Sequence, residues 1–229
     1  MNVTVFDYGA GNLHSLAKAL ERVGASVRVE TDARRALDGA ALVLPGVGAF
    51  GAAAERLSSG RDVMRAALAN GLPALGVCLG MQLLMDGSDE GEGAGLGLIP
   101  GRVRMIEAKR RPHMGWNDVE FDVEFKDVEF KDVESTVVES ADAERAAAPG
   151  TRTPISKDLL AYFAHSYVCE PRDSGCVRAW STHESDRFPA VVSMARTTGV
   201  QFHPEKSGPG GLALLAAWLQ DVRSPRAKS

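Results

Sequence analysis

The sequence predicts a single α/β domain built on a mainly parallel open sheet flanked by helices, with a strand-rich second half. Two observations predict it. Over residues 1–85 short apolar runs alternate with stretches of helical periodicity, and strands separated by helices pair in parallel with helices on both faces. Further along, apolar runs recur with little helical pattern between them, which adds strands to the sheet. A length of 229 residues, 45% hydrophobic and 24% charged, suits one domain with a substantial core.

Asn2 to Phe6 reads as a buried strand, and Leu13 to Val23 as a helix with Leu13, Leu16, Leu20 and Val23 on one side. Gly24 closes that helix as a C-cap glycine does, and Val27 and Val29 begin a second strand. Ala41 to Leu44 is a third strand, broken by Pro45-Gly46. Helices follow over Ala52 to Leu57 and Asp62 to Ala69, the second ending at Asn70-Gly71. Ala74 to Val77 is a fourth strand leading into a helix over Leu79 to Met85. In the second half, Val103 to Ile106, Leu160 to Val168, Val177 to Ser181, Ala190 to Met194 and Val200 to Phe202 read as strands. Leu212 to Leu219 is a closing helix with Trp218 on its apolar stripe.

The domain is expected to span residues 1–222, followed by a basic tail over 223–229 that carries Arg223, Arg226 and Lys228. From Asp118 the chain reads DVEF, DVEFK, DVEFK, DVES and runs on, acidic and Ala-rich, to Pro149-Gly150. Val119, Phe121, Val123 and Phe125 alternate as a strand does, but a five-residue repeat then reverses the apolar face. A sheet absorbs that slip only with a bulge. Residues 118–153 are therefore expected to be an insertion, a hairpin extension or a mobile loop.

Composition excludes several classes. A formal net charge of −4 without clustered Lys and Arg lacks the footprint of a nucleic-acid binder. No apolar run reaches the roughly 18 residues of a membrane span, and no basic segment followed by an apolar stretch marks a signal peptide. The three cysteines, Cys78, Cys169 and Cys176, lack metal-ligand spacing and read as reduced thiols of a cytoplasmic protein. No cofactor or metal is expected. His14 and His183 are expected at the surface, and nothing around His113 and His165 suggests a metal site.

The chemistry concentrates in three places. Gly76-Val77-Cys78-Leu79-Gly80 follows a strand and opens a helix, the cysteine counterpart of a nucleophile elbow. Its turn tolerates little beyond a hydrogen at the flanking positions, and it sets the sulfur near a helix N-terminus, where positive partial charge favours a thiolate. The bland alternative is a buried structural cysteine beside packing glycines. Val200-Gln201-Phe202-His203-Pro204-Glu205 supplies a base after an apolar strand. Pro204 keeps the chain out of a helix, so Glu205 can orient one nitrogen of His203 while the other faces the thiol. Alone, that stretch would read as a surface turn. Gly46, Val47 and Gly48 follow Pro45, and their backbone N–H groups, with that of Leu79, could form an oxyanion hole. An ordinary strand-ending turn is the alternative.

Together these pieces resemble the class I (triad) glutamine amidotransferases. DYGAGNL from Asp7, Gly76 to Leu84, GLGLIPG from Gly95, PHMGWN from Pro112, FAHSY from Phe163 and Gln201 to Ser207 narrow the resemblance to the glutaminase subunits of imidazole glycerol phosphate synthase. The likeness covers nearly the whole chain outside about residues 120–158 and the tail. It implies glutamine as substrate, Cys78 as nucleophile, His203 as base and Glu205 as its orienting acid. It further implies Gln82, Ser166 and Tyr167 as glutamine-holding residues, with Gly48 and Leu79 against the reacting carboxamide. The expected partner is a β/α-barrel cyclase that uses the ammonia for histidine biosynthesis, with Asn12, Met114, Trp116 and Lys206 near the interface. A Gly46–Val47 peptide able to flip would assemble the oxyanion hole only in the loaded complex. The acidic repeat and Ala164, where a larger aliphatic residue is expected, depart from the pattern. Alternatives are the glutaminase subunit of another synthase, a catalytically silent subunit of this fold, or a cysteine hydrolase acting without a partner.

Overall fold

Period-2 alternation sorts the first strands between two apolar layers. In β1 (Asn2–Phe6) Val3 and Val5 enter one buried cluster and Phe6 the other; in β3 (Ala41–Leu44) Ala41 and Val43 part in the same way from Leu42 and Leu44. A computed structural model describes residues 1–9, 11–121 and 158–224. Most of the repeat-bearing insertion and residues 225–229 of the tail lie outside the described residues.

The chain continues from β1 through α1 (Leu13–Arg22) and β2 (Ser26–Glu30) to β3, then α2 (Phe50–Leu57), α3 (Arg61–Ala69) and β4 (Ala74–Val77). After α4 (Leu79–Gln82) come β5 (Gly87–Ser88), β6 (Gly101–Met105) and β7 (His113–Phe121). The remaining elements are β8 (Asp158–His165), β9 (Tyr167–Pro171), β10 (Val177–His183), β11 (Asp186–Met194), β12 (Thr197–Val200) and α5 (Gly208–Arg223). The main sheet has nine strands in the order β2-β1-β3-β4-β12-β11-β10-β7-β8. Pairing is parallel from β2 to β12 and antiparallel from β12 to β8. A smaller sheet, β5-β6-β9, lies beside it.

Helices cover both faces, as the α/β pattern requires. Leu16 and Leu20 of α1, with Leu214, Leu215, Trp218 and Leu219 of α5, pack on Val3, Val5, Val43 and Val77. Phe50, Leu57, Met64 and Leu68 of α2 and α3 pack with Phe6, Leu42 and Leu44 on the other face. Each such side chain contributes about 1.5–3 kcal/mol when fully buried.

Four expectations change in detail. The strand expected over Val200 to Phe202 lies earlier, at Thr197–Val200, because it pairs in parallel with Ala74–Val77 and ends where that strand ends. The helix after Cys78 stops at Gln82 because the carbonyls of Leu83, Leu84 and Met85 are taken by the backbone N–H groups of Leu96, Leu98, Ile99 and Gly97. Leu160 to Val168 is not one strand: the chain breaks at Ser166, with β8 in the main sheet and β9 in the small one. The PHMGWN stretch, not assigned to an element from sequence, forms most of β7.

The topology matters most at the sheet centre. Parallel strands β4 and β12 are neighbours, with Gly76 opposite Gly199 and Val77 opposite Val200. Cys78 leaves the end of one strand just as Gln201 leaves the end of the other. This is the carboxyl end of the parallel strands, where open α/β sheets bind ligands.

Candidate active site

Cys78 has φ 50° and ψ −104°, a backbone conformation that non-glycine residues rarely adopt and that marks functional sites. Its N–H donates to the Val200 carbonyl at 2.7 Å, extending the β4–β12 ladder one step into the turn. The flanking glycines have a steric reason. A Cβ on Gly76 would lie 2.6 Å from the Gly80 oxygen, and one on Gly80 would lie 2.0 Å from the Leu44 oxygen. Gly46 is equally constrained, since its Cβ would meet the Val77 oxygen at 1.8 Å and the Leu79 nitrogen at 2.8 Å. The Pro-Gly-Val-Gly loop therefore rests directly on the elbow. Since α4 has only four residues, its dipole is small, and the charge partner of the sulfur is the imidazole.

His203 is 1% exposed, and its Nδ1–H donates to Glu205 Oε1 at 2.9 Å. The expectation that Pro204 keeps the chain out of a helix is corrected: His203 is extended, but Pro204 to Lys206 form a 3-10 turn that brings the carboxylate back to the ring. Proline at the start of such a turn forfeits only an N–H that would be unpaired anyway. His203 Nε2 is buried with no hydrogen-bond partner. Burial pulls the imidazole pKa down, but Cys78 and Glu205 outweigh burial and raise it to about 9. At neutral pH the ring is an imidazolium beside the sulfur.

Asn12, expected near a partner, is tied to this acid: its Nδ2–H donates to Glu205 Oε1 at 2.7 Å. Nothing in the local sequence advertises a contact that spans 193 residues. Gly11 N–H meets the Val47 carbonyl at 3.3 Å, so the stretch after β1 touches both the loop and the acid. Tyr8 donates its hydroxyl hydrogen to the Pro45 carbonyl, and burial first, then Cys78 and Asp7, raises its pKa well above the ordinary value. A cavity of about 110 Å³ lies at this loop, lined in part by Tyr8, Gly48, Arg56 and Leu79.

Gln82 is buried and its Nε2–H donates to the Tyr167 carbonyl at 2.9 Å, while the Ser166 carbonyl accepts from Ile106 N–H at 2.9 Å. Gln82 thus holds the segment that carries Ser166 and Tyr167. Glu90, absent from the sequence-based set, accepts from Phe50 N–H at 2.8 Å where the Pro-Gly-Val-Gly loop enters α2. Met114 (66% exposed) and Trp116 (54%) stand out from β7. Trp116 meets Tyr162 edge-on at 6.0 Å, and Lys206 Nζ lies 5.7 Å from the same tyrosine ring. Because the Tyr162 carbonyl accepts from His203 N–H, this apolar rim borders the turn that carries His203 and Glu205.

The histidines hold a surprise. His183, expected at the surface, is half-buried and stacks on His113 at 4.2 Å. His113 and His165 are buried and share a 3.2 Å hydrogen bond. His165 Nδ1–H donates to the Tyr167 carbonyl at 3.1 Å, so its Nε2 must accept from His113 Nδ1–H, and His113 Nε2 accepts from Asn117 at 3.3 Å. Burial, reinforced by the neighbouring imidazoles, lowers their pKa values to about 4 for His113 and about 3 for His165.

Comparison with known proteins places this geometry. The profile of the family "Glutamine amidotransferase class-I" matches residues 4–222. The Imidazole glycerol phosphate synthase subunit HisH of Microcystis aeruginosa is 40% identical over 227 residues, covering 96% of each chain. The subunit of the same name from Synechocystis sp. is 38% identical over 226 residues, again covering 96% of each. A solved glutamine amidotransferase superposes with a TM-score of 0.69 at 17% identity, covering 97% of this chain and 99% of the other, which establishes the shared fold. The chain belongs to the glutamine amidotransferase class-I family, in the branch of the HisH subunits.

Proposed function

We propose that this chain is the glutamine-hydrolysing subunit of an imidazole glycerol phosphate synthase, releasing ammonia for a β/α-barrel cyclase partner in histidine biosynthesis. The observation that carries the reading is the buried His203–Glu205 pair set against an elbow cysteine. The Cys78 thiolate attacks the side-chain carboxamide carbon of glutamine, forming a C–S bond. The oxyanion then sits against the N–H groups of the Gly46–Gly48 loop and of Leu79. As the C–N bond breaks, the imidazolium of His203 passes its Nε2 proton to the departing nitrogen, which leaves as ammonia. The neutral ring next takes a proton from water, which attacks the γ-glutamyl thioester; C–O forms, C–S breaks, and glutamate leaves. Glu205 keeps Nδ1 protonated and Nε2 facing the sulfur throughout, and Asn12 fixes Glu205.

Gln82, Ser166 and Tyr167 hold the glutamine. The exposed Met114, Trp116 and Lys206 offer the cyclase an apolar rim with one cation beside the triad. Direct transfer is physically sensible, because ammonia released to water is protonated and lost as a nucleophile. The test is glutaminase activity of the purified chain alone, with the cyclase, and with the cyclase loaded with its nucleotide. Strong stimulation in the last case, abolished by Cys78→Ala, is expected; equal turnover in all three would refute the partner assignment.

A further inference from the structure

Gln201 is absent from the set of residues assigned above, yet it touches the reacting atom. It is the first residue after β12, and its backbone N–H is secured to the Ala190 carbonyl at 2.9 Å. Its side chain is fully buried, and its Nε2–H points at Cys78 Sγ at 3.6 Å. Its Oε1 is buried and unpartnered. Among the described residues the buried side-chain polar atoms without a partner are Arg196 Nε, Gln201 Oε1, His203 Nε2 and Glu205 Oε2. All but Arg196 belong to the group around the sulfur. A half-satisfied amide in a dry core is less stable than an apolar residue of the same volume, so packing alone is a poor reason for a glutamine here.

We infer that Gln201 is a further catalytic residue, whose side-chain amide donates a hydrogen bond to the Cys78 thiolate and aims the sulfur for attack. Sulfur in a neutral thiol accepts weakly, whereas a thiolate accepts a charge-assisted bond. The amide therefore favours the charged sulfur over the neutral one. It acts twice in each turnover: before attack, when charge rests on sulfur, and again when water has added to the thioester and the thiolate is expelled. Between these steps sulfur is neutral and the bond is weak. The amide adds no covalent step and consumes no proton. The titratable groups facing the sulfur from other elements are His203 with Glu205 behind it, Tyr8 after β1 and Cys169 of β9, and the Ala164 carbonyl of β8 lies 4.0 Å from it, where it can accept from the neutral thiol. Of these only the imidazolium is positive, so Gln201 is the neutral donor that complements it. The inference rests on Cys78 being the nucleophile, but its test does not need glutamine.

The experiment follows alkylation of Cys78 by iodoacetamide against pH, with the modified cysteine identified by peptide mass. In Gln201→Met, which keeps the volume, alkylation at neutral pH should slow about tenfold and its pH midpoint should rise by about one unit, equivalent to that factor in the thiolate equilibrium. Circular dichroism checks that the variant is folded. In the unmutated protein, the side-chain amide 15N–1H resonance of Gln201 should move when Cys78 is alkylated. Rates within twofold of the parent in a folded Met variant, or an unmoved Gln201 resonance, would overturn the inference. Loss of glutaminase activity in a variant with unchanged alkylation would assign Gln201 to substrate binding instead and also count against it. A parent chain that alkylates as described but hydrolyses no glutamine would overturn the proposed function while leaving the Gln201–Cys78 contact intact.

Discussion

Lowering the pH from about 7 to about 5 should weaken this fold through the buried imidazoles of His113 and His165. In the folded chain their pKa values are depressed to about 4 and about 3, against 6.5 for an unperturbed histidine. Below 6.5 the unfolded chain therefore binds a proton at each position while the folded chain does not, and stability falls as pH falls. Each ring costs about 1.4 kcal/mol per pH unit in this window. At about pH 5, some 1.5 units below the unperturbed value, the pair together costs about 4 kcal/mol, a large share of a typical 5–15 kcal/mol. His203 has the opposite sign: its pKa is raised to about 9, so its contribution is complete below 6.5 and is lost only as pH climbs through 9. It adds nothing to the acid slope. Asp186, whose carboxylate is held ionised by Arg104 against the opposing effect of burial, loses its contribution only at lower pH. Urea unfolding at several pH values measures the slope. His165→Phe, in a pocket already lined by Phe163 and Phe188, should halve that slope whatever it does to stability at neutral pH. A parent slope below about half a proton per molecule, or an unchanged slope in the variant, would refute the reasoning.

Other outcomes follow from the packing around the elbow and the acid. Gly80→Ala drives a Cβ to 2.0 Å from the Leu44 oxygen; glutaminase activity should vanish and urea denaturation should show a loss of about 3 kcal/mol or more. Asn12→Ala removes one of the donors on Glu205 Oε1, and steady-state kinetics should show kcat down about tenfold with the unfolding midpoint little changed. Arg104→Met leaves Asp186, 6% exposed, without its bidentate partner and should cost about 3 kcal/mol in chemical denaturation. That cost should shrink in acid as the stranded carboxylate takes up a proton.

The parallel half of the sheet was legible because β3 and β4 are buried on both faces and read as apolar runs, and β1 departs from that only at Asn2 and the buried Thr4. Cys78 and the His203–Glu205 pair were legible because each sits in a local motif whose backbone geometry is encoded within a few residues. The less readable parts have a common cause: they depend on partners far along the chain. Asn12 finds Glu205 across 193 residues and Gln201 finds Cys78 across 123, contacts fixed by strand order rather than by any neighbour in sequence. The His113–His165 pair arises because β7 and β8 place those residues opposite one another. Strand β7 was hard to assign because its buried His113 and exposed Met114 and Trp116 do not follow an apolar-in, polar-out alternation. The truncated α4 reflects carbonyls captured by residues 96–99, a competition that local helical periodicity does not reveal.

The β7–β8 ladder keeps its register as far as Glu120 opposite Asp158. The polypeptide therefore departs from β7, the last strand but one, and returns as the edge strand β8 one strand spacing away, with both ends clamped. The general cost of joining two fixed anchors grows only with the logarithm of the number of residues between them. Copies of a short unit added between two strands already held in register move neither of them, so β8 keeps its Tyr162 carbonyl on His203 N–H and its Ala164 carbonyl 4.0 Å from Cys78 Sγ.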